Sequence, residues 1–92
     1  MGLEKYIFEK FNSDRGIYFF FKYKGAITKL VWVDANCFLS SSTDGTLRKW
    51  DVRTGENIKT FKGHHDGILD FAIANDKIVS GSDDGYCLVF HL

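Results

Sequence analysis

Proline is absent from this 92-residue sequence, and cysteine occurs only twice, at Cys37 and Cys87. Two cysteines with no short spacing make neither a disulfide framework nor a zinc site. They point instead to reduced thiols in an intracellular chain. Long apolar runs are also missing. The aromatic-rich run Ile17–Phe21 falls far short of the roughly 20 residues a membrane helix needs. Glu4, Lys5, Glu9 and Lys10 interrupt the place where a signal peptide would be apolar, and Tyr6 stands where a myristoylation signal after Gly2 has Ser or Thr. Excess charge of either sign is lacking: 12 basic residues balance 12 acidic ones. This leaves no basic footprint for nucleic acid and no acidic tail. What is abundant is aromatic, with nine Phe alongside nine Gly. That mixture favours many short strands joined by glycine turns.

A chain of this length makes one small domain. It buries only about 60% of the surface its unfolded form exposes, so its own core is marginal. Its organising feature is a repeat. Ser40, Ser42, Asp44-Gly45 and Trp50 recur forty residues later as Ser80, Ser82, Asp84-Gly85 and Phe90. Phe21-Lys22 recurs as Phe61-Lys62 at the same spacing, and Ile27, Leu30 and Val31 recur as Ile68, Phe71 and Ala72 at forty-one. Each unit reads as four short strands. In the second these are Asn57–Phe61, Gly67–Ile73, Lys77–Ser82 and Tyr86–Phe90, with turns at Gly63–Gly67, Asn75-Asp76 and Asp83-Asp84-Gly85. The first repeats the pattern at Ile17–Tyr23, Ile27–Val33, Phe38–Ser42 and Thr46–Trp50.

Gly63-His64, Ile68, the run Ser80–Gly85 and the pair Trp50-Asp51 together resemble the WD-repeat family, over about four fifths of the chain. The resemblance implies an all-β chain of four-stranded antiparallel propeller blades. About two are present, so a single chain makes an incomplete propeller. The units run over residues 17–51 and 52–92, after an extension at 1–16. It also implies a hydrogen-bonded network of His, Ser or Thr, Asp and Trp in each repeat. By match, the second unit offers His64, Ser80 and Asp84 with Phe90 in the Trp place. The first offers Ser40, Asp44 and Trp50, with Tyr23-Lys24 where Gly-His would stand. Both networks are therefore expected to be incomplete.

His64, Ser80 and Asp84 are also the residue types of a hydrolase triad, but no Gly-x-Ser-x-Gly elbow presents the serine and it falls inside a strand. Neighbouring His64-His65-Asp66 lacks further ligands at metal spacing. Catalytic, cofactor and metal roles are all expected to be absent. Ser40–Thr43 resembles a phosphorylatable cluster whose register places part of it in a strand.

Function is sought in loops, where a scaffold displays exposed side chains. Lys24, Thr43, His65, Asp66 and Asp83 are expected on one face of the sheets, the face that holds partner proteins or peptides in the family. The expected role is a non-catalytic interaction scaffold, completed by a protein partner or by further copies of the chain. A phosphopeptide reader would use Lys24 and Arg48. An RNA-associated member would use the aromatic and basic mixture at Phe19–Lys24, though the neutral charge makes nucleic acid the less favoured partner. Charge is uneven along the chain: residues 1–49 carry eight basic and five acidic residues, and residues 50–92 carry four and seven. For residues 1–16 two readings stand. Leu3, Ile7, Phe8 and Phe11 line a helical stripe, whereas Lys5–Phe11 as a strand matches the last strand of another unit.

Overall fold

The computed structural model describes the backbone of residues 7–10 and 19–22 and residues 25–92 in full. Nine strands make up the described architecture: β1 (Ile7–Lys10), β2 (Phe19–Lys22), β3 (Ile27–Trp32), β4 (Cys37–Ser42), β5 (Leu47–Asp51), β6 (Glu56–Phe61), β7 (Ile68–Ala74), β8 (Lys77–Ser82) and β9 (Cys87–His91). No helix occurs among the described residues, so none there is long and apolar enough to cross a membrane. The strands form three antiparallel sheets in the orders β1-β2, β3-β4-β5-β6 and β7-β8-β9. The extension thus contributes a strand over Ile7–Lys10, which removes the helical reading there. Leu3, Phe11 and the turn expected at Asn12–Gly16 lie outside the described residues.

Sequence units and sheets are offset by one strand. β6 belongs to the second unit, yet it pairs with β5 of the first, Leu47 opposite Phe61 and Asp51 opposite Glu56. The chain then crosses at Gly63, whose φ of 152° suits glycine, to open the next sheet with β7. Short tight turns do the rest. In each of the two full sheets an Asp-Gly corner returns the chain, with Gly45 N–H donating to Ser42 O (3.1 Å) and Gly85 N–H to Ser82 O (3.0 Å). The Asp side chain closes each corner by accepting from the N–H two residues on, Thr46 at 2.9 Å and Tyr86 at 2.8 Å. Asn75 takes the left-handed conformation (φ 58°) between β7 and β8, as an Asn in a tight turn can.

The core is the seam between the second and third sheets. Leu39 and Leu47 from the second meet Ile68, Phe71 and Ile78 from the third, with Phe61 beside them. Strand alternation delivers these residues, since every second side chain of β4 and of β8 points to the seam. At the inner edge, Lys29 Nζ donates to Asp70 Oδ1 (2.7 Å) and Phe71 O (2.8 Å), tying β3 to β7. The hydrogen bond from Lys29 holds the Asp70 carboxyl below its usual range.

Candidate functional site: the paired corners and their networks

Two networks sit beneath the turns, and they are not copies. In the third sheet His64 Nδ1 lies 3.1 Å from Asp84 Oδ2 and Nε2 lies 2.7 Å from Ser80 Oγ. A carboxylate only accepts, so a neutral imidazole carries its proton on Nδ1 and receives the Ser80 hydroxyl on Nε2. Asp84 also accepts from the His65 and Tyr86 N–H groups, both at 2.8 Å. Burial works against its charge, but these backbone donors and His64 prevail and hold its carboxyl at about 2. Phe90, in the Trp place, packs its ring on Phe61 at 5.4 Å and brings no donor to Ser80.

In the second sheet the other half of the network is made. Trp50 Nε1–H donates to Ser40 Oγ at 3.0 Å, and both residues are fully buried. Phe38 stacks on the indole at 6.5 Å. Asp44 Oδ1 accepts from the Thr46 N–H and hydroxyl, and Oδ2 faces the Arg48 guanidinium at 3.5 Å. Arg48 is therefore a structural cation, 4% exposed. The expectation that it offers a charge to a phosphopeptide does not survive, because its strand position turns it into the sheet packing. Asp51 of the Trp-Asp pair shapes the next turn by accepting from Arg53 N–H (2.8 Å) and from the Arg53 side chain, which holds its carboxyl below the usual range.

Ser40, Ser41, Ser42 and Ser80 are fully buried, and Thr43 is exposed. A nucleophilic role for Ser80 is closed off by that burial, and of the Ser40–Thr43 cluster only Thr43 reaches solvent. Cys37 is half-buried and Cys87 exposed, both as free thiols, with desolvation first among the causes that push the Cys37 thiol up.

The loops converge. Thr43, His65, Asp66 and Asp83 are exposed at one end of the sheets, and Lys24 lies outside the described residues. Ser82 Oγ–H donates to Asp66 O (3.1 Å) and Asp83 N–H to Gly67 O (3.3 Å), so the turns brace each other. Gly67 packs so closely on the corner of the neighbouring sheet that a Cβ there would stand 2.9 Å from Thr43 Cα and 3.1 Å from Thr43 O. Backbone on both sides cannot yield cheaply. Gly67→Ala is expected to destabilise the chain by roughly 1–2 kcal/mol, read from urea unfolding curves with an unchanged slope.

The profile of the WD domain, G-beta repeat, matches residues 17–51 and 55–91. The chain belongs to the WD-repeat family. Among WD-repeat relatives it is 44% identical over 54 residues to an uncharacterized WD repeat-containing protein of Schizosaccharomyces pombe, covering 56% of this chain and 14% of that protein. It is 29% identical over 82 residues to the E3 ubiquitin-protein ligase COP1 of Pisum sativum, covering 87% of this chain and 12% of that one. The crystal structure of Saccharomyces cerevisiae Sqt1 superposes with a TM-score of 0.70 at 28% identity, over 82% of this WD-repeat chain and 22% of Sqt1. The WD-repeat chain thus spans about one seventh or less of the lengths of these two curated relatives. Arg48 is the structural residue that motif matching missed. The only signal available was an Arg four residues after the corner Asp, where the second unit has Leu88.

Proposed function

We propose that this chain is a non-catalytic interaction module that presents the Thr43, His65–Gly67 and Asp83 loops to a partner protein inside the cell. The observation that carries the reading is the bracing of these loops: exposed polar side chains stand on turns locked to each other through Ser82, Asp66 and Gly67. A rigid display of this kind loses little entropy on binding. The COP1 relative is an E3 ubiquitin-protein ligase. On our reading this chain supplies a recognition surface and no chemistry of its own. Residues 17–51 and 52–92 act as successive repeat units, with residues 1–16 carrying a strand of a preceding blade.

The exposed side chains Asp66 and Asp83 favour a basic partner segment and disfavour a phosphorylated one or RNA. Titration of the isotopically labelled chain with an arginine- and lysine-rich peptide tests this by amide shifts. Movement confined to Thr43, His65–Gly67 and Asp83, removed by Asp66→Ala with Asp83→Ala, supports the reading. Equal movement in that double variant overturns it.

A further inference from the structure

The chain contains three Asp-Gly steps, Asp44-Gly45, Asp66-Gly67 and Asp84-Gly85. Such a step carries a latent reaction. Glycine has no Cβ to shield its nitrogen, so the Gly amide nitrogen can attack the Asp side-chain carboxyl carbon. A new N–Cγ bond closes a five-membered succinimide. The amide proton and a carboxyl oxygen leave together as water. Water then adds back to either carbonyl of the ring. Opening at the main-chain carbonyl gives L-isoaspartate, in which the main chain runs through the side-chain carbons, and opening at the other restores aspartate. The mass is unchanged, and the reaction needs no oxidant or cofactor.

Two of the three steps are closed to it. At Asp44 one carboxylate oxygen accepts from the Thr46 N–H and hydroxyl, the other faces Arg48, and the Gly45 N–H donates to Ser42 O. At Asp84 the oxygens accept from His64, His65 and Tyr86, and the Gly85 N–H donates to Ser82 O. Both reacting groups are engaged, so each corner must open before they meet. Asp66-Gly67 differs. Asp66 is exposed and, among the described residues, neither its carboxylate nor the Gly67 N–H has a hydrogen-bond partner. The brace of this loop runs through other atoms: Asp66 O accepts from the Ser82 hydroxyl and Gly67 O from the Asp83 N–H. It holds the turn without occupying either reacting group.

We propose that Asp66-Gly67 is a spontaneous modification site, where the folded chain converts Asp66 to L-isoaspartate through a succinimide while Asp44 and Asp84 are spared. The consequence falls on the loops, whatever they bind. Isoaspartate lengthens the main chain by one carbon where Gly67 already lies close against Thr43. The modified loop cannot keep that contact and both of its bracing hydrogen bonds.

Ageing of the full chain at neutral pH, well below its Tm, tests this. Trypsin cuts after Arg48, Lys62 and Lys77 and so places each step in its own peptide. Electron-transfer fragmentation distinguishes isoaspartate from aspartate in each. Isoaspartate is expected to accumulate at Asp66 at least about tenfold faster than at Asp44 or Asp84, because only those two must first break hydrogen bonds. In guanidinium chloride the three rates are expected to converge. Asp66→Glu keeps the charge, cannot close a five-membered ring and is expected to lose the signal from its peptide. Accumulation at Asp66 no faster than at the other two in the folded chain overturns the proposal. So does a preference that persists undiminished in guanidinium chloride, which would place its origin in the neighbouring residues and not in the fold.

Discussion

Trp50→Ala is expected to lower stability by about 3–5 kcal/mol, the range for emptying a fully buried aromatic site. The indole has no solvent exposure, stacks on Phe38 and donates to Ser40, which is itself fully buried. Truncation leaves a cavity that Phe38 cannot fill from one side. For a domain of this size each kcal/mol moves Tm by roughly 4–8 °C, so the variant is expected to be largely unfolded near the parent's Tm. Trp50→Phe separates packing from hydrogen bonding. It keeps one aromatic ring, as Phe90 does in the second unit, and loses the Nε1–H donor with only part of the indole's volume. Its expected cost is about 1 kcal/mol. Thermal melts by circular dichroism check both. A Trp50→Ala variant that melts with the parent would mean the indole is not core.

His64→Ala is expected to cost roughly 1–3 kcal/mol, because Ser80 is buried and loses its acceptor while Asp84 loses a donor. The same network sets an acid limit. The Asp84 carboxyl is held at about 2 against an ordinary 3.8. A carboxylate with a depressed folded value binds fewer protons than the unfolded chain, so its stabilisation is full above about pH 4 and falls as pH drops toward 2. Denaturant unfolding at a series of acidic pH values is expected to show that loss in the parent and a flatter profile in Asp84→Asn. His64→Ala removes one of the groups that lower Asp84, so its decline begins at a higher pH. Parallel profiles for parent and Asp84→Asn would show that Asp84 carries none of the acid sensitivity.

The strand pattern was legible because it depends on near neighbours. Asn75 and the two Asp-Gly corners specify turns through their own backbone preferences, and alternation between them marks Ile78 and Ser80 for one side of β8 and Val79 for the other. Position 90 was legible too, since Phe lacks a donor wherever it packs. Arg48 was not. A charged residue in a strand reads as solvent-facing until the Asp44 carboxylate and the packing around β5 are in place, and those come from the fold. The burial of Ser41 and Ser42 was likewise invisible, because adjacent residues of one strand face opposite sides and only the folded surroundings cover both.

The sequence by itself thus determined the repeat, eight of the nine short strands and the residues able to form each network. Local sterics and the two-residue period of a strand act within a few positions of the chain. Only the tertiary structure decided that β6 joins the sheet of the preceding unit, that Lys29 bridges to Asp70, and that Val79 is exposed where its equivalent Leu39 is fully buried. These are properties of sheets stacked on sheets. Equivalent residues in two repeats have the same local geometry and differ only in whether another sheet lies against them.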